Sequence, residues 1–374
     1  MGETGDVVIA GAGIVGAACA EALSREGLRV VVIESRGVGQ GATAAGMGHI
    51  VVMDDSEAEF ALTRYSRDLW DQVVSSLPPE VEFERCGTLW VAADAEEMAA
   101  VHRKAAFYAS RGVRAEVLDP AALREAEPNL RSGLAGALLL PDDSVIYAPC
   151  AARWLMEQAR RHGASLRLGE PVAELRDDGV RLAGGSTVSA GLTVCATGAW
   201  AAELLPALGV RPRKGHLAIT DRYPGFVRRQ LVELGYLKSA HGSASESVAF
   251  NVQPRQTGQV LIGSSRQFGV THASVDSTIL RRMLQRAIDY LPALASLSVI
   301  RTWTGFRAAT DDKLPLIGPC PGRRNLYLAT GHEGLGITTS LGTAQLLADL
   351  ITGRQPAIDP APYLPSRIRA PVHV

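Results

Sequence analysis

The sequence of 374 residues has little net charge, few lysines and no paired cysteines. Its formal net charge of -1 gives no indication of a nucleic-acid or other polyanionic partner. The five cysteines are scattered and form no CxxC pair, which argues against a disulfide framework, a zinc site or an iron–sulfur cluster held by this chain alone. Such cysteine usage is typical of a reducing compartment.

Long uninterrupted apolar runs are missing as well. The first residues, MGETGD, carry no basic segment of the kind that opens a signal peptide, and glycine interrupts the apolar stretch that follows. We therefore expect a cytoplasmic protein without a transmembrane segment, which associates with a membrane only through partners. The length suits one large domain or two intertwined ones.

The segment DVVIAGAGIVGAACAEALSREGLRVVVIE predicts a dinucleotide-binding strand–helix–strand unit. Gly11, Gly13 and Gly16 form a GxGxxG pattern between the first strand and a helix over residues 17–25, and Glu34 ends the second strand. In such a unit the glycines bring the backbone close to a pyrophosphate at the helix N-terminus, and the acid accepts hydrogen bonds from a ribose. The alternative is a glycine-rich turn in another kind of α/β unit.

A second glycine-rich segment, SRGVGQGATAAGMGHI, favours FAD over NAD as the cofactor. An NAD-binding unit continues with another helix, whereas a loop of small residues lets backbone amides approach a phosphate or a flat ring. His49 ends this loop. A histidine here is either a covalent attachment point for a flavin or, as we favour, a buried neighbour of it.

The remaining segments predict two interleaved domains. Residues 87–144 and 215–300 carry strands that do not follow a strand–helix–strand order, which favours a substrate-binding α+β domain with an antiparallel sheet. The FAD-binding domain then consists of residues 1–86, 145–214 and 301–374. We expect an α/β fold in which a Rossmann-like, glutathione-reductase-like domain is interleaved with the substrate domain.

The segment ATGHEGLGITTSLGTAQLLADLI predicts a strand, a glycine loop over residues 331–336 and an apolar helix over residues 338–351. The N-terminus of a helix has free amides and a positive dipole. Directed at a flavin, it would stabilise the negative charge that develops on reduction. The first glycine loop would then hold the pyrophosphate of an extended cofactor, and the last one its redox-active ring.

Together these motifs resemble the D-amino-acid oxidase family of FAD enzymes over nearly the whole chain. The motifs are GAGIVG with its acid, GATAAG, ATGAW, GFR-x-x-T-x-D-x-x-P-x-I-G and GHEGLGIT. Within that family the stretch ATAAGMGHIVVMDD is most similar to catalytic subunits of D-hydroxyproline dehydrogenases, with opine oxidase, hydrogen cyanide synthase and glycine oxidase subunits close to them.

The resemblance assigns the candidate site residues. Arg307 matches the arginine that pairs with the substrate carboxylate, and Tyr236 and His332 complete the catalytic candidates, with His241 also placed near a pocket. Gly334 stands where glycine oxidase has a further arginine. The cofactor-binding candidates are Gly11, Ala12, Gly13, Ile14, Val15, Gly16, Glu34, Ser35, Arg36, Gly41, Ala42, Thr43, Ala45, Gly46, Met47, Gly48, His49, Val172, Ala196, Thr197, Gly198, Trp200, Gly305, Arg307, His332, Glu333, Gly334, Leu335, Gly336, Ile337 and Thr338.

The resemblance also implies the reaction. We expect FAD-dependent oxidation of a D-amino acid, cis-4-hydroxy-D-proline or D-proline first, to a cyclic imine by transfer of the Cα hydride to flavin N5. No metal is expected, and the FAD is expected to be non-covalent. No lysine lies between Lys238 and Lys313, where sarcosine oxidases have an oxygen-activating one. This favours a dehydrogenase that passes electrons to partner subunits carrying iron–sulfur clusters or a second flavin.

Two alternatives remain open. One is a glycine, sarcosine or opine oxidase that uses oxygen. The other is a binding protein whose FAD is structural.

Overall fold

A computed structural model describes residues 4–235 and 246–368 of the chain. Its strands are β1 (Thr4–Ala10), β2 (Val30–Glu34), β3 (His49–Ile50), β4 (Thr88–Ala92), β5 (Glu116–Leu118), β6 (Gly136–Leu140), β7 (Ser144–Val145), β8 (Ser165–Leu168), β9 (Val172–Arg176), β10 (Gly179–Leu182), β11 (Thr187–Cys195), β12 (Arg211–Arg222), β13 (Gln230–Glu233), β14 (Glu246–Pro254), β15 (Gln259–Gln267), β16 (Val299–Ala309), β17 (Leu316–Pro319) and β18 (Leu326–Thr330). Its α-helices are α1 (Ile14–Arg25), α2 (Glu57–Val73), α3 (Ala95–Ser110), α4 (Pro120–Ala126), α5 (Ala148–Arg161), α6 (Ala201–Leu204), α7 (Ser277–Tyr290) and α8 (Ser340–Thr352).

The described chain divides into two compact units. The first contains residues 4–81, 147–213 and 306–368, and the second contains residues 82–146 and 214–305 apart from the undescribed stretch. The assignment of cofactor binding to one unit and substrate binding to the other stays a prediction.

The first unit has an eight-stranded sheet whose main path runs β17-β18-β11-β1-β2-β8. The pairs around β1 are parallel, as are β2 with β8 and β11 with β18. Val7, Val8 and Ile9 of β1 are fully buried. A strand that is apolar at consecutive positions is typical of a parallel sheet covered on both faces. β1 is therefore the central strand of this unit.

Helix α1 packs against both α5 and α8 in the first unit. The side of α1 that is buried there carries mostly small residues, such as Ala18, Cys19 and Ala22. Small side chains let helix axes approach closely. This packing brings the N-terminus of α1 and the segment before α8 into the same layer.

The second unit has an eight-stranded sheet in the order β16-β12-β15-β14-β13-β4-β6-β5. The pairs β12–β15, β14–β15, β13–β14, β4–β6 and β5–β6 are antiparallel, whereas β13 with β4 is parallel, so the sheet is mixed. Helix α7 covers one face, where Met283 and Tyr290 are buried with Phe250 of the sheet. The rings of Phe250 and Tyr290 stack with centroids 4.4 Å apart. The predicted α/β fold with interleaved sheets is confirmed.

The described part of the proline-rich segment that follows α8 contacts the first unit. The hydroxyl of Tyr363, which is buried, donates to the carbonyl of Ala58 over 2.6 Å. Arg367 donates to the carboxylate of Asp312 over 2.6 Å. The segment therefore wraps over the first unit as an extended strap.

Within the described residues, no helix has the length and apolar character that crossing a membrane requires.

Candidate active site

The first glycine turn is so tightly packed that two of its positions have no room for a side chain. Gly11 has a φ of 104°, and a Cβ on it would lie 2.6 Å from the carbonyl oxygen of Ala196. A Cβ on Gly16 would lie 2.0 Å from the carbonyl oxygen of Gly11. The turn, the start of α1 and the end of β11 are thus in direct contact, as a dinucleotide-binding site requires.

The carboxylate of Glu34 lies beside this turn. It accepts hydrogen bonds from the backbone N–H groups of Ala12 and Arg36, each over 2.8 Å, and from the hydroxyl of Ser35 over 3.2 Å. A carboxylate offers about four lone-pair positions, so a ribose hydroxyl can still bind there. The carbonyl of Glu34 accepts a hydrogen bond from Glu170, which places the turn before β9, and with it the candidate Val172, at this end of β2.

The second glycine loop closes over the N-terminus of α1. Thr43, which was predicted only as a small residue near the cofactor, accepts a hydrogen bond from the N–H of Ile14 over 3.0 Å. This contact explains why α1 begins at Ile14 and not at residue 17 as the sequence predicted. A Cβ on Gly46 would lie 2.8 Å from Cδ1 of Ile337, so this loop also contacts the last glycine loop.

Two residues of α2 that the sequence analysis missed hold the end of the last loop. Ser66 Oγ donates to the carbonyl of Thr338 over 2.6 Å, and Trp70 Nε1 donates to the same carbonyl over 3.2 Å. The Thr338 hydroxyl donates to the carbonyl of His49 over 2.8 Å. Because Thr338 is held in this way, α8 begins at Ser340, two residues later than predicted. The spacing of residues 66 and 70, one helical turn apart on an amphipathic helix, was the available signal.

His332 is inside the protein. Its Nε2 lies 2.9 Å from the hydroxyl of Thr343, and burial lowers its pKa to about 3. The ring is therefore neutral at neutral pH, and this contact fixes the loop to α8. This contact supports a loop-holding role for His332, and its catalytic role stays a prediction.

Arg307, at the end of β16, lies against the last glycine loop. A Cβ on Gly334 would be 3.7 Å from Nε of Arg307. The next residue of the strand, Ala308, accepts a hydrogen bond from the N–H of Glu333 over 2.8 Å. The residue before it, Phe306, packs on Trp200 with ring centroids 5.4 Å apart. Arg307 is half-buried and sits between these two anchors.

Glu333 forms an ion pair with Arg213, and both side chains are largely buried. Arg213 was not predicted as a site residue. Glu333 has a φ of 51°, a left-handed conformation that non-glycine residues seldom adopt. Such strain is typical of functional sites.

The structure brings most of the predicted residues together in the first unit. The two glycine loops, Glu34, the last loop and Arg307 are linked by the contacts above, and Thr330 donates to the carbonyl of Gly198 over 3.0 Å. Gly305 belongs to the second unit. Tyr236 and His241 lie outside the described residues.

These residues fit FAD. Gly11 and Gly16 leave no space for side chains, an acid ends β2, and Thr43 and Gly46 of the second loop contact the start of α1 and Ile337. No group of histidine, cysteine and acidic side chains suited to a metal ion occurs in the described part of the chain. Fold and site together define a flavin-dependent oxidoreductase.

Comparison with known proteins identifies the family: residues 6–350 match the DAO family of FAD dependent oxidoreductases, and the chain belongs to it. It is 33% identical to a D-amino acid dehydrogenase of Xanthobacter autotrophicus over 316 residues, which cover 80% of this chain and 72% of the relative. The crystal structure of glycine oxidase from Geobacillus kaustophilus matches with a TM-score of 0.89 and 28% identity, covering 98% of this chain and 100% of that one. That of L-proline dehydrogenase from P.horikoshii matches with a TM-score of 0.86 and 25% identity, covering 98% of both chains.

Proposed function

We propose that this protein is an FAD-dependent D-amino-acid dehydrogenase, with cis-4-hydroxy-D-proline or D-proline as the substrate, and that it passes its electrons to a partner subunit. The observation that carries the proposal is the position of Arg307 against Gly334 of the last glycine loop. A planar guanidinium binds a carboxylate with two parallel hydrogen bonds, which fixes the orientation of an amino acid. The similarity to a D-amino acid dehydrogenase and to L-proline dehydrogenase supports this substrate class.

The role of Arg307 would be to position the substrate, and the arginine would take no part in the transfer of the hydride or the proton. The first glycine turn with Glu34 and the last glycine loop would hold FAD, which would supply the two-electron oxidant that takes up the Cα hydride. The amine proton would pass to solvent as the imine forms. The chain's own contribution is to orient the carboxylate, since orientation supplies much of the lowering of the barrier. Gly334 places no side chain against Arg307, where a Cβ would lie 3.7 Å from Nε, and this supports a substrate bulkier than glycine.

The electron acceptor is the second part of the proposal. The sequence between Lys238 and Lys313 has no lysine that could activate oxygen. This supports transfer to an iron–sulfur or second flavin subunit, with the FAD held non-covalently. Glycine oxidase activity is the second candidate, because the solved glycine oxidase matches the whole chain with a TM-score of 0.89.

Anaerobic bleaching of the flavin by a panel of amines tests both parts. The panel contains cis-4-hydroxy-D-proline, D-proline, their L-forms, glycine and sarcosine. We expect fast bleaching by the D-prolines and slow reoxidation in air. Bleaching by glycine or sarcosine with rapid reoxidation would establish an oxidase instead, and a flavin that no amine reduces would indicate a structural cofactor.

A further inference from the structure

The ion pair between Arg213 and Glu333 lies next to the substrate-binding arginine of the proposed function. Glu333 is bonded through its backbone to Ala308, the residue that follows Arg307. Its side chain is 13% exposed and that of Arg213 is 8% exposed. A buried ion pair adds little to stability compared with an apolar pair of the same volume. Stability therefore does not explain why a buried ion pair lies beside Arg307, and a role in substrate binding would explain it.

One oxygen of Glu333 has no hydrogen-bond partner among the described residues. Oε1 accepts from Arg213, whereas Oε2 is buried and receives no hydrogen bond from the described part of the protein. A buried acceptor that receives no hydrogen bond is unfavourable, so native structures almost always provide a donor. A bound molecule with an N–H or O–H group would provide one here.

The charges of the pair determine which molecules suit this position. Glu333 compensates the positive charge of Arg213, so that a second substrate carboxylate would meet a negative side chain and not a free guanidinium. A hydroxyl or amine group would meet a hydrogen-bond acceptor. Like charges placed together suppress the wrong partner, which is a common way in which binding sites achieve specificity.

We infer that Glu333 is a specificity-determining residue, which admits amino acids with a single carboxylate and a hydrogen-bond donor and excludes dicarboxylic ones. The inference rests on the proposed function, since it takes Arg307 as the group that binds the first carboxylate. It requires the negative charge at position 333 and the positive charge at position 213 to act together.

The test compares substrates that differ by one carboxylate. D-Proline and 4-carboxy-D-proline form one pair, and D-alanine and D-aspartate form another. For each pair we measure the ratio of kcat/KM for the dicarboxylate to that for the monocarboxylate, by anaerobic flavin reduction. Glu333→Gln is expected to raise this ratio by about tenfold or more, through KM, because it removes the repulsion and leaves Arg213 available.

Two further variants sharpen the test. Asp311→Asn removes the acid of a comparable ion pair, whose partner Arg211 lies on β12 as Arg213 does. The side chains of Arg211 and Asp311 are 62% and 80% exposed. It should change the ratio by less than about twofold, because exposed pairs interact weakly. Adding Arg213→Gln to Glu333→Gln should return the ratio toward that of the wild type, since Arg213 would attract the second carboxylate.

A binding measurement and a charge-conserving variant separate failure of the inference about Glu333 from failure of the proposed function. Dissociation constants of acetate and malonate, read from the flavin difference spectrum, give a second measure that needs no turnover, and Glu333→Gln should tighten malonate binding alone. If Glu333→Gln does not retain flavin, Glu333→Asp keeps the charge and should keep the exclusion. A wild type that prefers dicarboxylates, or an unchanged ratio in folded Glu333→Gln, overturns the inference alone. A wild type whose flavin no amine reduces overturns the proposed function as well.

Discussion

At the scale of single residues, Arg307 is the group on which the proposed chemistry depends. A guanidinium binds both carboxylate oxygens at once, and an ammonium binds them as a point charge. Arg307→Lys is therefore expected to lower kcat/KM by about 10- to 100-fold, which corresponds to the loss of a charge-assisted hydrogen bond. Steady-state kinetics with the best amine of the panel measures the effect.

Arg211→Lys is the matched control, because Arg211 is 62% exposed. It should keep wild-type kinetics, and both variants should keep their flavin. Equal kinetics for Arg307→Lys and the wild type would remove Arg307 from the site.

His332 should make stability depend on pH. Burial lowers its pKa to about 3, whereas in the unfolded chain it is near 6.5. Between these values the unfolded state binds more protons, so the free energy of unfolding rises with pH and is lost as the pH falls from about 6.5 towards 3. We expect His332→Gln to flatten this part of the profile in urea unfolding between pH 5 and pH 7.

The exposed His102 on α3 provides the comparison. His102→Gln makes the same substitution at an exposed position and should leave the free energy of unfolding at pH 7 within about 0.5 kcal/mol of the wild-type value. If His332→Gln and the wild type lose stability in parallel on acidification, His332 is not responsible for the slope.

At the scale of elements, the glycine turn before α1 is the most constrained local structure. The Gly16→Ala variant would place its Cβ 2.0 Å from the carbonyl oxygen of Gly11, so the helix and the turn could not both keep their positions. We expect Gly16→Ala to lose bound flavin or to be insoluble. A Cβ on Gly37 would meet only the side chain of Gln40, at 3.6 Å, so Gly37→Ala should purify with wild-type flavin content. The absorbance ratio of flavin to protein measures both.

Helix α2 should stabilise the last loop. Ser66 donates to the carbonyl of Thr338 and accepts from the N–H of Gly342 over 2.9 Å. Ser66→Ala removes both bonds from a buried site, so the free energy of unfolding should fall by about 1–3 kcal/mol. Ser110→Ala, which removes an exposed bond to the carbonyl of Phe107, should cost much less. Equal costs in chemical denaturation would contradict this role of α2.

The elements that local patterns specify could be predicted from the sequence, and those set by distant contacts could not. The glycine turn, Glu34 and the last glycine loop follow from motifs in which neighbouring residues act together. The start of α1 depends on Thr43, 29 residues away, and the ion pair of Arg213 and Glu333 joins residues 120 positions apart. No local pattern encodes such pairings, and helix ends shift with them.

At the scale of the whole molecule, we expect a single extended FAD that is held without a covalent bond. Acid precipitation should therefore release the flavin into the supernatant. Added FAD should raise the Tm of the flavin-free protein, and a ligand at 100 times its Kd stabilises by about 2.7 kcal/mol. FMN should raise the Tm less, because it lacks the adenosine that Glu34 would bind. Flavin that stays with the precipitate would indicate a covalent link, for which His49 would be the candidate residue.

The order of segments along the chain has a consequence for how the protein is made. β1 is synthesised before its neighbour β11, whose paired residues lie about 180 positions later, as in the pair of Val7 with Leu192. The next strand of the sheet, β18, begins only at Leu326. A strand that waits for distant partners gives slow, non-local folding. β2 can pair with one side of β1 soon after it is made, but the other side of β1 stays unpaired until β11 has been synthesised. The proposed flavin site is complete only after the last glycine loop, residues 331–336, has been synthesised, so we expect the supply of FAD during expression to govern the yield of soluble protein.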